Sequence, residues 1–335
     1  MRSGSEPVRT AVVTGASGYL GRHLVAELER RGWSVTRCLR TQSAPRDGED
    51  PRGSVLVPEL DDASLSRVPM EVDTVFHLAG LAHRFPPHVP SDDEYERVNG
   101  LGSEAVARAA RNRARRVVLA SSVAAIGGDG TTTIHRGTAP TPKTAYGRSK
   151  LSGERLARAA LDGSGTSLVV LRFPAIYGVD APGAVTQLAR WIERGRPIPS
   201  CARHARRSMI AVANAVDALI ASSQCASLAG EVALPHDRQT LDVLSVARTI
   251  GAGAGIPVRT VPCPAALLRV LGRLLGSLGV AAAASAERLL EHSVVEDDTL
   301  ARLASWTPPV DATNALRALL RRSAHERAPT ARSAA

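Results

Sequence analysis

Short β-branched and aliphatic runs alternate with longer stretches of helical periodicity through the first half of the chain. That alternation predicts a parallel sheet covered by helices, an open doubly wound α/β architecture. Strands are expected at Val8–Val13, Ser34–Leu39, Ser54–Val57, Thr74–His77, Arg116–Ala120 and Ser167–Arg172. Helices are expected at Tyr19–Arg31, Ser91–Asn112, Ala145–Asp162 and Val185–Arg194. The runs Pro86–Pro90 and Gly127–Pro142 read as loops over the carboxyl ends of strands, the edge where such sheets bind ligands. After about Tyr177, Pro and Gly interrupt the pattern more often. Residues 1–178, with about 209–223 returning, are expected to form the first domain. Residues 179–208 and 234–322 are expected to form a smaller substrate-binding lobe at the C-terminal end, followed by a disordered polar tail at 323–335. The amphipathic stretch Ala265–Leu278 reads as a helix packing on that lobe rather than on a membrane, because its polar face carries few basic residues.

Composition narrows the class of protein. No apolar run reaches the length of a membrane span; the longest candidate, Ala265–Ala284, is broken by Arg269 and Arg273. No charged region with an apolar core opens the chain, and the four cysteines lack CxxC spacing. Both features point to a reduced, cytoplasmic protein with no metal site. The net charge of +10 suggests nucleic acid at first sight. The basic residues are spread out, however, apart from Arg111–Arg116 and Arg203–Arg207, and aromatics make up only 3%. With little material for base stacking, nucleic acid is set aside in favour of a small anionic substrate.

Val12 to Gly21 runs from strand through a glycine turn into a helix. Gly15 permits the tight turn, Gly18 lets the backbone approach a pyrophosphate, and Gly21 allows close helix–strand packing. Phosphates then meet free N–H groups at the helix start. Tyr146 and Lys150 stand one helical turn apart on one face. Lys143 and Lys150 are the only lysines of the chain, so a lysine four residues after this tyrosine stands out against 40 arginines. A nearby ammonium is expected to stabilise the phenolate and make Tyr146 a usable acid–base. Ser122 ends the strand before, where its hydroxyl can bond a reacting oxygen.

These three elements together resemble the extended short-chain dehydrogenase/reductase family, in its NAD-dependent epimerase and dehydratase branch. The matching residues are Thr14–Gly21, Ser122 and Tyr146–Lys150, followed in family order by His77–Gly80, Val98-Asn99 and Leu171–Gly178. The resemblance implies a Rossmann-type sheet and an NAD or NADP cofactor. It assigns Gly15, Gly18, Tyr19, Leu20 and Gly21 to the pyrophosphate, and Glu59 and Leu60 to the adenine. Leu78, Ala79 and Gly80 would meet the nicotinamide-side ribose and phosphate, which Lys150 would also hold, and Pro174 and Ile176 the nicotinamide ring. Ser122, Tyr146 and Lys150 would be catalytic. Arg207 would bind the diphosphate of a nucleotide sugar, the expected partner, beside which a homodimer is a further expectation.

Within the family, His77–Arg84, Ala145–Leu151, Arg194–Pro199 and Trp306–Val310 are most similar to bacterial UDP-N-acetylquinovosamine-type 4-ketoreductases. The implied reaction is reduction of a 4-keto sugar on UDP or dTDP, with 4-epimerisation or a non-catalytic NAD(P) sensor as alternatives. Ala184 and Ala213 depart from the asparagine and aspartate usual at those places. Cofactor choice turns on the end of the second strand. Leu39 stands where NAD-preferring members carry an acidic residue, and Arg40 follows it. Arg40 either pairs with a 2′-phosphate, favouring NADP, or stacks over the adenine.

Overall fold

The computed structural model describes residues 7–40, 53–82, 89–127, 133–264, 266 and 292–320. The expected loop residues 86–88 and 128–132, the tail, and all but Ala266 of the amphipathic stretch lie outside the described residues. Six strands succeed one another as β1 (Thr10–Thr14), β2 (Ser34–Leu39), β3 (Ser54–Leu56), β4 (Thr74–His77), β5 (Arg116–Ser122) and β6 (Ser167–Phe173). With Val232–Ala233 they form a parallel sheet in the order Val232–Ala233, β6, β5, β4, β1, β2, β3. The winding reverses between β1 and β4, which opens a crevice at the carboxyl ends of those two strands. Each expected strand forms within two residues of its expected ends. The extension of β5 matters most, because it carries Ser121 and Ser122 into register with Arg172 and Phe173 of β6.

Both sheet faces are covered, which explains why the strands read as nearly continuous apolar runs. On one face Ala11, Val13, Phe76, Val118 and Val169 pack under Leu24, Val25 and Leu28 of helix α1 (Tyr19–Arg30) and under Ala215 and Leu219 of the helix Val212–Gln224. On the other, Val12, Val75, Val117 and Leu119 pack under the helices that follow β3, β4 and β5. A third cluster draws entirely on residues after β6, including Ile192, Ile198, Met209, Val246, Ile250 and Leu316. It meets the sheet region at Asp237, whose buried carboxylate accepts from the Tyr177 hydroxyl at 2.7 Å, the Asn214 amide at 2.7 Å and the Ala211 N–H.

One expected element is broken. The helix read at Ser91–Asn112 consists of α3 (Asp92–Tyr95), a wide π turn at Glu96–Leu101 and α4 (Gly102–Ala110), with the short α2 (Asp62–Leu65) earlier in the chain. Periodicity cannot register a single extra residue in one turn. The turn packs closely on a neighbour: α5 (Ala145–Leu161) comes so near that a Cβ on Gly153 would stand 2.3 Å from the Asn99 carbonyl oxygen. The Asn99 side chain on this turn bonds outside its own helix, and such turns recur at functional sites.

Candidate active site

The glycine turn is built by steric necessity. Gly15 has φ of +71°, and a Cβ there would lie 2.7 Å from the Ala79 nitrogen. Any side chain would push β1 away from the strip that follows β4. A Cβ on Gly21 would come within 2.1 Å of the Gly15 carbonyl oxygen, so the close helix–strand packing expected there is present. Gly18 is the extended cap residue of α1, and no side chain caps that helix. The N–H groups of Tyr19, Leu20 and Gly21 therefore open the helix without intrahelical partners. The Tyr19 hydroxyl donates to Val179 O at 3.0 Å, tying the turn to the segment after β6. Burial, seconded by Asp180, pushes its pKa up to about 12, which keeps it out of acid–base work.

Beneath the turn runs a one-way hydrogen-bond chain that sequence reading did not see. The Ser103 hydroxyl donates to Asn99 O at 2.6 Å, so its oxygen accepts from Nε2 of His77 at 3.0 Å. Nδ1 of His77 then accepts from the Thr14 hydroxyl at 2.7 Å, and Thr14 Oγ1 accepts the Ala79 N–H at 3.3 Å. Burial, and secondarily the Lys150 charge, push the His77 pKa down to about 3, so the ring stays neutral. Asn99 completes the clamp. Its Oδ1 accepts from Leu81 N at 2.8 Å, and its Nδ2 donates to Leu81 O at 3.1 Å and to Ser149 Oγ at 3.0 Å. The strip Leu78–Gly80 is thus fastened to β1 on one side and to α5 on the other. In the sequence, Asn99 and His77 were legible only as parts of family signatures, without roles.

Helix α5 starts at Thr144, whose hydroxyl accepts the Gly147 N–H at 3.0 Å. A Cβ on Gly147 would lie 2.3 Å from Ala124 O, so the helix start sits hard against the turn after β5. Tyr146 and Ser122 are hydrogen-bonded through their side chains. Lys150 is buried and donates from Nζ to Ala120 O at 2.7 Å. The three residues expected to be catalytic are therefore brought together.

The Tyr146 phenol is held above its ordinary pKa, chiefly by burial, with Ser122 pulling the other way and Tyr95 adding to the rise. The Tyr95 ring stands edge-on to it at 5.9 Å. One of the Lys150 ammonium donors is engaged by the Ala120 carbonyl. Burial also lowers the Lys150 pKa to about 8, against the opposing pull of Glu154.

The remaining expected residues lie as follows. Arg40 is exposed at the end of β2, while Arg37 is turned to Glu29. Glu59 sits in an exposed ion pair with Arg97 at 3.3 Å. Leu60 packs beneath Gly102, where a Cβ would lie 2.9 Å from it. Pro174 is buried and Ile176 half-buried. Arg207 is half-buried, opposite Leu241 in a two-residue antiparallel ladder. Two residues on, Met209–Ala211 pairs with Ala175–Tyr177, placing Arg207 on the run that flanks Ile176. Among the described residues no group of His, Cys, Asp or Glu could hold a metal ion, and no helix is long and apolar enough to cross a membrane.

The family model described as the NAD dependent epimerase/dehydratase family matches residues 11–231. A 4-hydroxy-2-methyl-3-oxo-4-farnesyl-3,4-dihydroquinoline-1-oxide ketoreductase of Stigmatella aurantiaca is 32% identical over 202 residues, covering 56% of this chain and 59% of that protein. The UDP-glucose 4-epimerase of Vibrio cholerae is 23% identical over 316 residues, covering 90% of this chain and 91% of the relative. The first curated relatives are matched over about half to three-fifths of their own length, from 47% to 59%. Among solved structures, the UDP-glucuronic acid 4-epimerase of Bacillus cereus in complex with NAD superposes with a TM-score of 0.71 at 18% identity, covering 92% of this chain and 95% of the other.

Proposed function

Because the chain belongs to the NAD dependent epimerase/dehydratase family, we propose that it exchanges a hydride between a nicotinamide cofactor and C4 of a UDP- or dTDP-linked sugar, as a 4-ketoreductase. The observation that carries this reading is the Ser122–Tyr146 hydrogen bond beside buried Lys150, next to a strip that Asn99 and Thr14 hold in place. In this reading residues 1–178 and about 209–223 hold the dinucleotide, and 179–208 with 234–322 hold the substrate.

The chain's residues fit a dinucleotide. Gly15 and Gly21 let the turn close on Ala79 and the helix start close on Gly15, and the uncapped start of α1 suits a pyrophosphate. Gly18, Tyr19 and Leu20 would line that pyrophosphate, Glu59 and Leu60 the adenine, Leu78–Gly80 and Lys150 the nicotinamide-side ribose, and Pro174 and Ile176 the nicotinamide ring. Arg40 would meet the adenosine ribose, where it allows NADPH as well as NADH. When bound, the nicotinamide supplies the hydride.

The protein supplies the proton and the positioning. The protonated Tyr146 phenol gives its proton to the C4 oxygen of a keto sugar. Ser122 hydrogen-bonds the same oxygen while charge develops on it. Lys150, anchored at Ala120 O, sets positive charge beside the phenolate that remains. Arg207 would take the sugar diphosphate by charge-assisted hydrogen bonds.

The likeness to the Vibrio cholerae epimerase over nearly its whole length favours 4-epimerisation as the second reading. Both readings begin at the same oxygen; an epimerase must keep and turn the keto sugar. Incubating the protein with UDP- and dTDP-4-keto sugars and either NADH or NADPH separates them. Cofactor oxidised in step with sugar reduced supports the reductase. Interconversion of 4-epimers without net cofactor turnover replaces it with the epimerase.

A further inference from the structure

Helix α5 meets β5 along three rungs spaced four residues apart. Tyr146 bonds Ser122, Lys150 bonds Ala120 O, and Glu154 accepts from the hydroxyl of Ser121. The first two rungs belong to the site described above. The third is a buried carboxylate, at 5% exposure. It is also gripped by Arg172 of β6, whose Nε reaches both its oxygens at 3.0 and 3.1 Å and whose Nη2 reaches Oε2 at 2.6 Å. Arg172 stands beside Ser121 in the sheet register. Burying such a pair is expensive, and a pair of well-packed apolar residues would hold this corner at least as well. Fold stability alone does not account for it.

We infer that Glu154 is a positioning residue for Lys150: fixed by Ser121 and Arg172 one turn along the same helix face, its charge keeps the buried ammonium protonated and directed at Ala120. The inference rests on reading Lys150 as part of the catalytic group. Lys150 has almost no water to sustain its charge, and Glu154 is the group that opposes the effect of burial. The other titratable groups around it leave Glu154 in control. Tyr146, on α5 itself, remains a neutral phenol; His77, from β4, remains a neutral imidazole. Tyr95, from α3, faces the Tyr146 ring, and Glu96, from the π turn, is occupied by Ser152. Arg172, from β6, is a cation and works against Lys150 once Glu154 no longer neutralises it.

Only two lysines occur in the chain, so protein labelled with ¹⁵N-lysine shows two side-chain signals, and Lys143→Arg identifies that of Lys150. Titrating that signal reads the charge of Lys150 without any substrate or cofactor. In the parent it should titrate near the value of about 8 noted above. In Glu154→Gln it should titrate at least about one pH unit lower, a tenfold change in proton affinity. The double variant Glu154→Gln/Arg172→Met, which removes Arg172 together with the carboxylate it pairs with, should fold and titrate between the two. A folded single or double variant in which Lys150 titrates within about 0.3 unit of the parent overturns the inference, because each unit is only about 1.4 kcal/mol and a purely structural pair would leave it unmoved. Loss of turnover in Tyr146→Phe, by contrast, tests the catalytic reading and leaves this titration unchanged.

Discussion

Replacing Lys150 with methionine should stabilise the protein at neutral pH, although it removes a residue central to the site. In the folded chain burial takes this lysine from 10.5 to about 8. A depression of that size corresponds to about 3 kcal/mol held against folding. The sign follows from proton counts. Below pH 8 both states carry the charge and the folded state bears the full penalty. Between about 8 and 10.5 the folded protein sheds the proton while the unfolded chain keeps it, so stability rises with pH. Methionine removes the penalty but also the bond to Ala120 O, worth about 1 kcal/mol. The variant should therefore be more stable by about 2 kcal/mol at pH 7, with the difference shrinking towards zero by pH 10. Urea unfolding of both proteins across that range measures it. Using the difference matters, because Cys38, raised by burial to about 12, makes both proteins less stable above pH 9. A difference that stays constant with pH, or a methionine variant that is the weaker at pH 7, would refute the reasoning.

Three other substitutions bear on ligand binding. Arg207→Ala should weaken UDP binding by ~10-fold or more with unchanged unfolding behaviour, by titration calorimetry; equal binding would place the diphosphate elsewhere. Arg40→Ala should lower NADPH affinity by ~5-fold or more and leave NADH affinity nearly unchanged, the loss of one exposed phosphate contact. A parent that prefers NADH tenfold, with the ratio unmoved by the substitution, defeats the expectation. Asn99→Ala should cost about 2–4 kcal/mol of stability, since Leu81 loses both bonds to the amide and a buried gap remains. It should also weaken NADH binding more than the distant Arg207→Ala does, which cofactor fluorescence can compare.

The architecture was legible because both signals behind it are local. Strand runs and glycine punctuation follow from backbone sterics, and Gly15 and Gly21 stand where a Cβ would collide with the backbone. The Tyr146–Lys150 spacing needed only helix periodicity. What the sequence hid depends on contacts between distant segments. The π turn around Asn99 packs on α5, with Ser149 50 residues away, and helix periodicity between residues 91 and 112 does not reveal it. Glu154 lies on the face of Tyr146 and Lys150, so its spacing was visible, but its burial was not: only the sheet register brings Arg172 and Ser121 to it. Sequence also placed a cation near Tyr146 but could not show that Lys150 donates to a carbonyl or that burial holds the phenol above its ordinary pKa.

The proposed chemistry is tested most directly by following the transferred hydrogen. The parent protein and Tyr146→Phe are each given a UDP-4-keto sugar and reduced cofactor carrying deuterium at the transferable position, and the sugar product is weighed. With the parent, product should carry one deuterium at C4, formed in proportion to cofactor oxidised. With Tyr146→Phe the same product should form ~10²–10⁴-fold more slowly, with cofactor affinity retained. Deuterium absent from C4 would contradict hydride transfer to that carbon, and a phenylalanine variant as fast as the parent would contradict Tyr146 as the proton donor to its oxygen.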